Sequence, residues 1–237
     1  MDNDITKNYA FVFARGGSKG LARKNIKLLN GKPLIAYSIE LAKSMKEISE
    51  VFVSTDDPEI SQVAREYGAT IIIRPSELAS DNSPEWLSWR HAIHWVIENR
   101  GMFDTFISLP ATSPLRQSVD VLNAINKLHS VKSDICIAVT PSSRNPYFNM
   151  VVETPDGNVK LAISDLGDIS RRQDAPIVYD ITTVVYAAYP KFILENDNIF
   201  SGVVSNIKVP KERSVDIDDI YDFHMAEILM KEINDEK

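Results

Sequence analysis

Residues 9–20, YAFVFARGGSKG, decide how this chain is read. The first five form a short β-forming run. The rest, continued to Asn25, is a loop of three glycines, two arginines and two lysines within residues 13–25. Gly16 and Gly17 let the backbone bend and aim amide N–H groups at phosphate oxygens. Arg15, Lys19 and Lys24 can then neutralise a triphosphate. The plain alternative is a solvated basic turn. Position favours the ligand, because in open α/β sheets ligands sit beyond the carboxyl ends of the strands. The loop is neither a Walker loop nor a dinucleotide fingerprint, since neither spacing is met and LARKN intervenes before any helix.

Working outward, strand and helix patterns alternate. PLIAYSIELAKSM (33–45) has helical apolar spacing with Pro33 at its start. EVFVST (50–55) reads as a strand. DPEISQVAREYG (57–68) reads as a helix capped by Asp57 and ended by Gly68. ATIIIRP (69–75) is a strand, SPEWLSWRHAIHWVIEN (83–99) a helix, TFISLPA (105–111) a strand, SVDVLNAINKLHS (118–130) a helix with Ser118 as its cap, and DICIAVT (134–140) a strand. This repetition predicts an α/β fold, a mostly parallel sheet with helices on both faces. The pattern breaks over residues 141–189, where a hairpin is expected around Asp156-Gly157 and IVYDITTVVYAAY (177–189) is strongly β-forming. We expect an antiparallel excursion there that serves as a dimer arm. GVVSNIKVP (202–210) returns to the core, and an amphipathic helix closes the chain.

The chain has 237 residues, which suits one large domain, and 44% of them are hydrophobic, enough for a core. Its net charge of -7 argues against a nucleic-acid partner. It leaves room for a small anion, because a local basic cluster dominates its own cleft. The single cysteine, Cys136, excludes an internal disulfide and a structural zinc site. No signal peptide or membrane span is evident, so cytoplasm is the expected compartment.

Other candidates follow the same strand ends. In SVDIDD (214–219), Asp216 and Asp218 share one side if the stretch is extended, and two such carboxylates suit Mg²⁺. The alternative is acids favoured at the start of the helix that follows. In LPATSPLR (109–116), Arg116 could meet an anion and Thr112 or Ser113 a sugar hydroxyl; the alternative is a helix-entry loop. Arg74 ends a strand at the same edge. His91 and His94 lie among three tryptophans without a third ligand, so packing is their expected role. No Ser-His-Asp or Cys-His arrangement stands out.

In order along the chain, ARGGSKG, KNIKLLNGKPLIAYSI, VFVSTDDPEISQVAREYGA, RPSELASD, LPATSPLR, RRQDAP and SVDIDD resemble the acylneuraminate cytidylyltransferases, also called CMP-sialic acid synthetases. The resemblance implies a Rossmann-like nucleotidyltransferase fold, one domain over residues 1–237 with 141–189 inserted for dimerisation and sugar binding, and a homodimer. It implies Mg²⁺-dependent coupling of CTP to a nine-carbon 2-keto sugar acid with release of pyrophosphate. Arg15, Lys19 and Lys24 would hold the triphosphate in a loop shaped by Ala14, Gly16, Gly17 and Ser18. Asn25, Arg74 and Ser83 would assist at the nucleotide. Asp216 and Asp218 would bind the metal. Arg171 and Gln173 would lie near the sugar acid at the dimer interface, with Thr112, Ser113, Arg116, Thr182 and Thr183 on the sugar side.

Two departures fall on that side. Many family members read LQPTSPLR where this chain has Pro110 and Ala111. Many also carry Asn-Gly where it has Thr182 and Thr183. Both leave CTP in place and point to a relative of N-acetylneuraminate such as legionaminic acid. The competing expectations are a Kdo-type enzyme using an eight-carbon acid, a sugar-1-phosphate nucleotidyltransferase, and a non-catalytic nucleotide-binding module.

Overall fold

A computed structural model describes residues 6–17, 20–164, 169 and 171–235. In chain order the elements begin with β1 (Asn8–Phe13), β2 (Leu28–Leu29), β3 (Lys32–Pro33), α1 (Leu34–Ser44), β4 (Glu50–Thr55), α2 (Pro58–Glu66) and β5 (Thr70–Ile73). There follow α3 (Glu85–Arg100), β6 (Thr105–Ser108), α4 (Ser118–Val131), β7 (Ile135–Pro141), β8 (Val151–Glu153) and β9 (Val159–Leu161). The last are β10 (Tyr179–Ala188), α5 (Pro190–Glu195), β11 (Val204–Lys208) and α6 (Ile220–Asp235).

Seven strands form one sheet in the order β11-β7-β10-β6-β1-β4-β5. All neighbours are parallel except β10, which runs antiparallel to both β6 and β7. β1 sits near the middle and sorts its side chains by period two. Ala10, Val12 and Ala14 join the aliphatic core with α1, α2 and α4 residues, while Tyr9 and Phe11 join an aromatic core beneath α3. There the ring of Phe11 stacks on Phe106 at 4.7 Å and on Phe52 at 5.3 Å. A third cluster packs α6 through Phe223 and Ala226 onto Leu29, Leu34 and Ile217.

The antiparallel character expected over residues 141–189 is present in two separate pieces. The hairpin β8–β9 turns at Asp156-Gly157, with Gly157 at φ 80, and forms a sheet of its own. β10, in contrast, is inserted into the main sheet between β6 and β7, with a register shift between Thr182 and Tyr186. The reason is topological. The chain leaves β7 at the carboxyl edge, makes the hairpin, and re-enters from that same edge, so β10 must run the opposite way. Its Val184, Val185, Ala187 and Ala188 are fully buried.

The cap of α4 is Gln117 rather than Ser118. The Gln117 side chain accepts from the backbone at Asp120, whose own carboxylate accepts from the Gln117 N–H at 3.0 Å. Asp120 is also bound by Arg213 at 2.8 Å. Beside it Arg116 is buried, and burial pulls its pKa down to about 9. Its guanidinium donates to the carbonyls of Val184, of Pro110 at 2.8 Å and of Thr183 at 3.3 Å, and to the Ser38 hydroxyl at 2.9 Å. It therefore clips β10 to the loop after β6 and to α1. Arg116→Met would remove those hydrogen bonds from a buried position, and we expect a loss of about 3 kcal/mol. Thermal denaturation should register this as a Tm lower by about 6–12 °C.

Candidate active site

A cavity of about 540 Å³ opens at the carboxyl edge of the sheet. The loop after β1 contributes Arg15, Gly20, Lys24 and Asn25; the segment between β5 and α3 contributes Arg74, Ser83 and Glu85; Thr112 and Asp218 close the far side. Segments almost 200 residues apart in sequence thus meet, and the Lys24 ammonium lies 3.0 Å from the Asp218 carboxylate.

Two glycines make that approach possible. A Cβ on Gly20 would sit 2.3 Å from the backbone oxygen of Asp218, and one on Gly16 would sit 2.5 Å from the Asp57 carboxylate. The Gly16 N–H donates to Asp56 at 3.1 Å. Asn25 is buried and its side-chain amide donates to the Arg15 carbonyl at 3.1 Å, bracing the loop from within. Arg23 is turned away: it pairs with Asp57 and Glu59, while Asp57 caps α2 by accepting from Glu59 and Ile60 N–H groups. Arg15 pairs with Asp81 at 2.7 Å across the cavity. Arg74 is buried, donates to the Ser54 carbonyl at 2.8 Å and hydroxyl at 3.2 Å, and lies over the Phe13 ring. Burial lowers its pKa, opposed by the charges of Glu85 and Asp56.

The acidic couplet lies in the segment between β11 and α6. Ile217 turns into the core and donates its N–H to the Thr112 carbonyl at 2.9 Å, and Asp216 and Asp218 flank it, the first partly buried and the second exposed. Capping of α6 is done by other acids. Asp219 accepts from the N–H groups of Tyr221 at 2.7 Å and Asp222 at 3.0 Å, and Asp222 accepts from those of Asp218 and Asp219. Asp216 is left with Oδ1 buried and without a hydrogen-bond partner among the described residues. Burial raises its pKa and the charge of Asp218 adds to this, while the Thr112 and Thr183 hydroxyls and Lys24 pull it down. No cluster of three or more metal-ligating side chains occurs among the described residues. Mg²⁺ asks for fewer, since it takes one or two carboxylates and fills its shell with water and phosphate. A carboxylate oxygen buried without a donor, beside a second carboxylate, fits that ion.

The family profile "Cytidylyltransferase" matches residues 9–199. The chain belongs to the cytidylyltransferase family. It is 36% identical over 225 residues to "Post-translational flagellin modification protein B" of Campylobacter coli, covering 94% of both chains. It is 35% identical over 221 residues to "CMP-N,N'-diacetyllegionaminic acid synthase" of Campylobacter jejuni, covering 92% of this chain and 93% of that one. Among solved structures, CMP:2-keto-3-deoxy-manno-octonic acid synthetase complexed with CTP superimposes with a TM-score of 0.72 at 16% identity, over 96% of this chain and 100% of that one. That likeness establishes the nucleotidyltransferase fold.

This cytidylyltransferase brings together Arg15, Lys24, Asn25, Arg74, Ser83, Thr112 and Asp218 at one cavity. Ser83 has its hydroxyl buried there without a partner among the described residues. Ala14 follows β1 with its N–H on the Ser54 carbonyl at 3.1 Å, and Gly17 has open space around it. Ser18 and Lys19 lie outside the described residues. Ser113 and Thr183 share a hydroxyl hydrogen bond of 2.7 Å behind Thr112. Thr182 faces a smaller cavity that also reaches Asp216. Arg116 is committed to the internal clip. Arg171 and Gln173 are not brought to the cavity of their own chain: both are exposed on the arm, and Arg171 pairs with Asp174 at 2.8 Å. Glu85 escapes a reading of the sequence, because an acid in the first turn of a helix is ordinary dipole compensation.

The raised pKa of Asp216 has a definite sign. The folded chain holds that proton where the unfolded chain has released it. Stability is therefore lost as pH rises through the ordinary aspartate range up to the raised value. In EDTA at pH 7, Asp216→Asn should raise Tm by a few degrees, about 1 kcal/mol of relief. The gain should vanish below about pH 4, where the unfolded aspartate is also protonated. Scanning calorimetry across pH checks both.

Proposed function

We propose that this cytidylyltransferase transfers CMP from CTP to the anomeric hydroxyl of a nine-carbon 2-keto sugar acid, releasing pyrophosphate, and that the acceptor is of the legionaminic type. The observation that carries this is the meeting of Lys24 with Asp218 at the mouth of the cavity. It brings a cation suited to a polyphosphate against an acid suited to a divalent ion. Support for the acceptor comes from the name of the Campylobacter jejuni relative and from Pro110, Ala111, Thr182 and Thr183 on the sugar side.

The acceptor oxygen attacks the α-phosphorus in line, the bond to the bridging oxygen of the pyrophosphate breaks, and the hydroxyl proton passes to solvent. Positioning and charge neutralisation are the protein's work. Arg15, Lys24 and, from the same loop, Lys19 offset the charge that grows on the pyrophosphate. Arg74, fixed by Ser54, and Ser83 hold the nucleoside end. Asp216 and Asp218 would hold Mg²⁺, with Thr112 and Thr183 orienting Asp216. Bound there, the ion would supply positive charge to the phosphoryl oxygen and lower the pKa of the acceptor hydroxyl.

The arm is assigned to a second copy of the chain. Val151, Val152, Val159, Ile177 and Ile181 are large, apolar and exposed on it, as expected of a surface that another subunit covers. Arg171 and Gln173 on that arm would then serve the sugar site of the partner. No helix among the described residues is long and apolar enough to cross a membrane, and no membrane partner is invoked.

Pyrophosphate release with CTP, Mg²⁺ and a panel of keto-sugar acids tests the reading. Turnover should favour a legionaminic-type acid over N-acetylneuraminate and over the eight-carbon Kdo. A clear preference for either competitor would overturn the assignment of the acceptor. Asp216→Asn and Asp218→Asn should each lower kcat by about 100-fold or more while the far-UV circular dichroism is unchanged. Near-normal rates in both would return the couplet to a structural role.

A further inference from the structure

The smaller cavity that Thr182 faces measures about 360 Å³. Its walls come from the end of β7, the start of β10 and the segment after β11, so it opens at the same edge of the sheet as the nucleotide cavity. Asp216 links the two. It lines the smaller cavity and meets the hydroxyl of Thr112, which lines the larger one. A group held in the smaller cavity approaches Asp216 without displacing the basic loop, none of whose described residues lines that wall.

Lys211 is the one cation among the described residues on the wall. Two acids share it, Asp180 and Asp216, and among the described residues Lys211 forms no ion pair with either. Its ammonium donates instead to the Ser143 hydroxyl at 2.7 Å. A lysine carries three N–H donors and no acceptor, so this bond leaves donors to give. The Ser143 oxygen accepts in that bond, and its own O–H remains a donor. Arg172 donates to the carbonyl of the same serine at 2.9 Å, so a second positive charge stands close by. Lys211 and Ser143 are both exposed. An ammonium and a hydroxyl side by side, open to solvent, make a two-point donor for a carboxylate.

We propose that Lys211 and Ser143 hold the carboxylate of the acceptor and so set its anomeric hydroxyl beside Asp216. This deepens the reading above and rests on the acceptor being a 2-keto sugar acid. In the ring form of such an acid, the carbon that carries the attacking hydroxyl also carries the carboxylate. Fixing one group orients the other. The carboxylate also needs a countercharge of its own, because it is brought towards a triphosphate and two aspartates. The cations of the basic loop are committed to the phosphates, which leaves Lys211 on the acceptor side. Its flexible four-carbon stem lets the ammonium follow the ligand.

The test compares a keto-sugar acid with its C1 carboxamide, which keeps the shape and removes the charge. With the wild-type enzyme, kcat/KM for the acid should exceed that for the carboxamide by about 100-fold. Lys211→Met should lower that ratio by about 10-fold or more, chiefly through the KM of the acid. Lys211→Arg, which keeps the charge, should retain most of it. The KM for CTP should be unchanged in both, because Lys211 does not line the nucleotide cavity. A merely structural role would depress acid and carboxamide alike and keep the ratio, which would overturn the proposal. So would a ratio that survives Lys211→Met and collapses in Arg171→Met, the result expected if the arm of a second subunit carried the countercharge. Turnover of the acid with an unchanged ratio thus sinks this assignment alone. If no keto-sugar acid released pyrophosphate with the wild-type enzyme, the proposed function itself would fall, and the assignment with it.

Discussion

The contact between Lys24 and Asp218 is the constraint on which the site depends. A lysine just after the first strand meets an aspartate just after the last, and their charges balance across the cavity mouth. The contact is held from below by backbone rather than by the two side chains. Gly20 lies against the carbonyl of Asp218 so closely that no Cβ would fit, and the Ile217 N–H is tied to Thr112. An exposed ion pair alone contributes little to stability. What keeps the segments together is the buried seam of Leu29, Leu34, Ile217 and Phe223 underneath.

The same frame shows why this edge of the sheet carries cost. Arg74 is buried with a lowered pKa, and Asp216 keeps an unpartnered oxygen. Each would be a liability in a purely structural position. An anionic nucleotide and a divalent ion are partners that would relieve them. Strain of this kind collects where a ligand completes the electrostatics.

β10 joins architecture to site. Its antiparallel insertion places Thr182 and Thr183 beside Asp216 and Tyr186 beside Trp89, and the register shift between Thr182 and Tyr186 falls between those two neighbourhoods. Arg116 secures the strand there by donating to the carbonyls of Thr183 and Val184. An arginine that reads as an anion contact in the motif LPATSPLR thus works as an internal clip. Positive charge and position alone do not distinguish the two, because the difference lies in whether carbonyls or solvent surround the guanidinium.

The sequence by itself determined the alternation of strands and helices, the Asp57 cap, the Asp156-Gly157 turn, and the basic loop and acidic couplet as the chemically charged segments. These rest on local causes: periodicity, turn chemistry and charge, all carried by neighbouring residues. Only the tertiary structure decided that β10 belongs inside the sheet, that Gln117 rather than Ser118 caps α4, that Arg116 faces inward, and that Asp219 and Asp222 free the couplet from capping. The place of β10 and the inward facing of Arg116 turn on contacts between residues distant in the chain, and a strand or a charged side chain carries no local mark of such a partner; the choice of capping residue turns on backbone geometry that residue types alone do not fix.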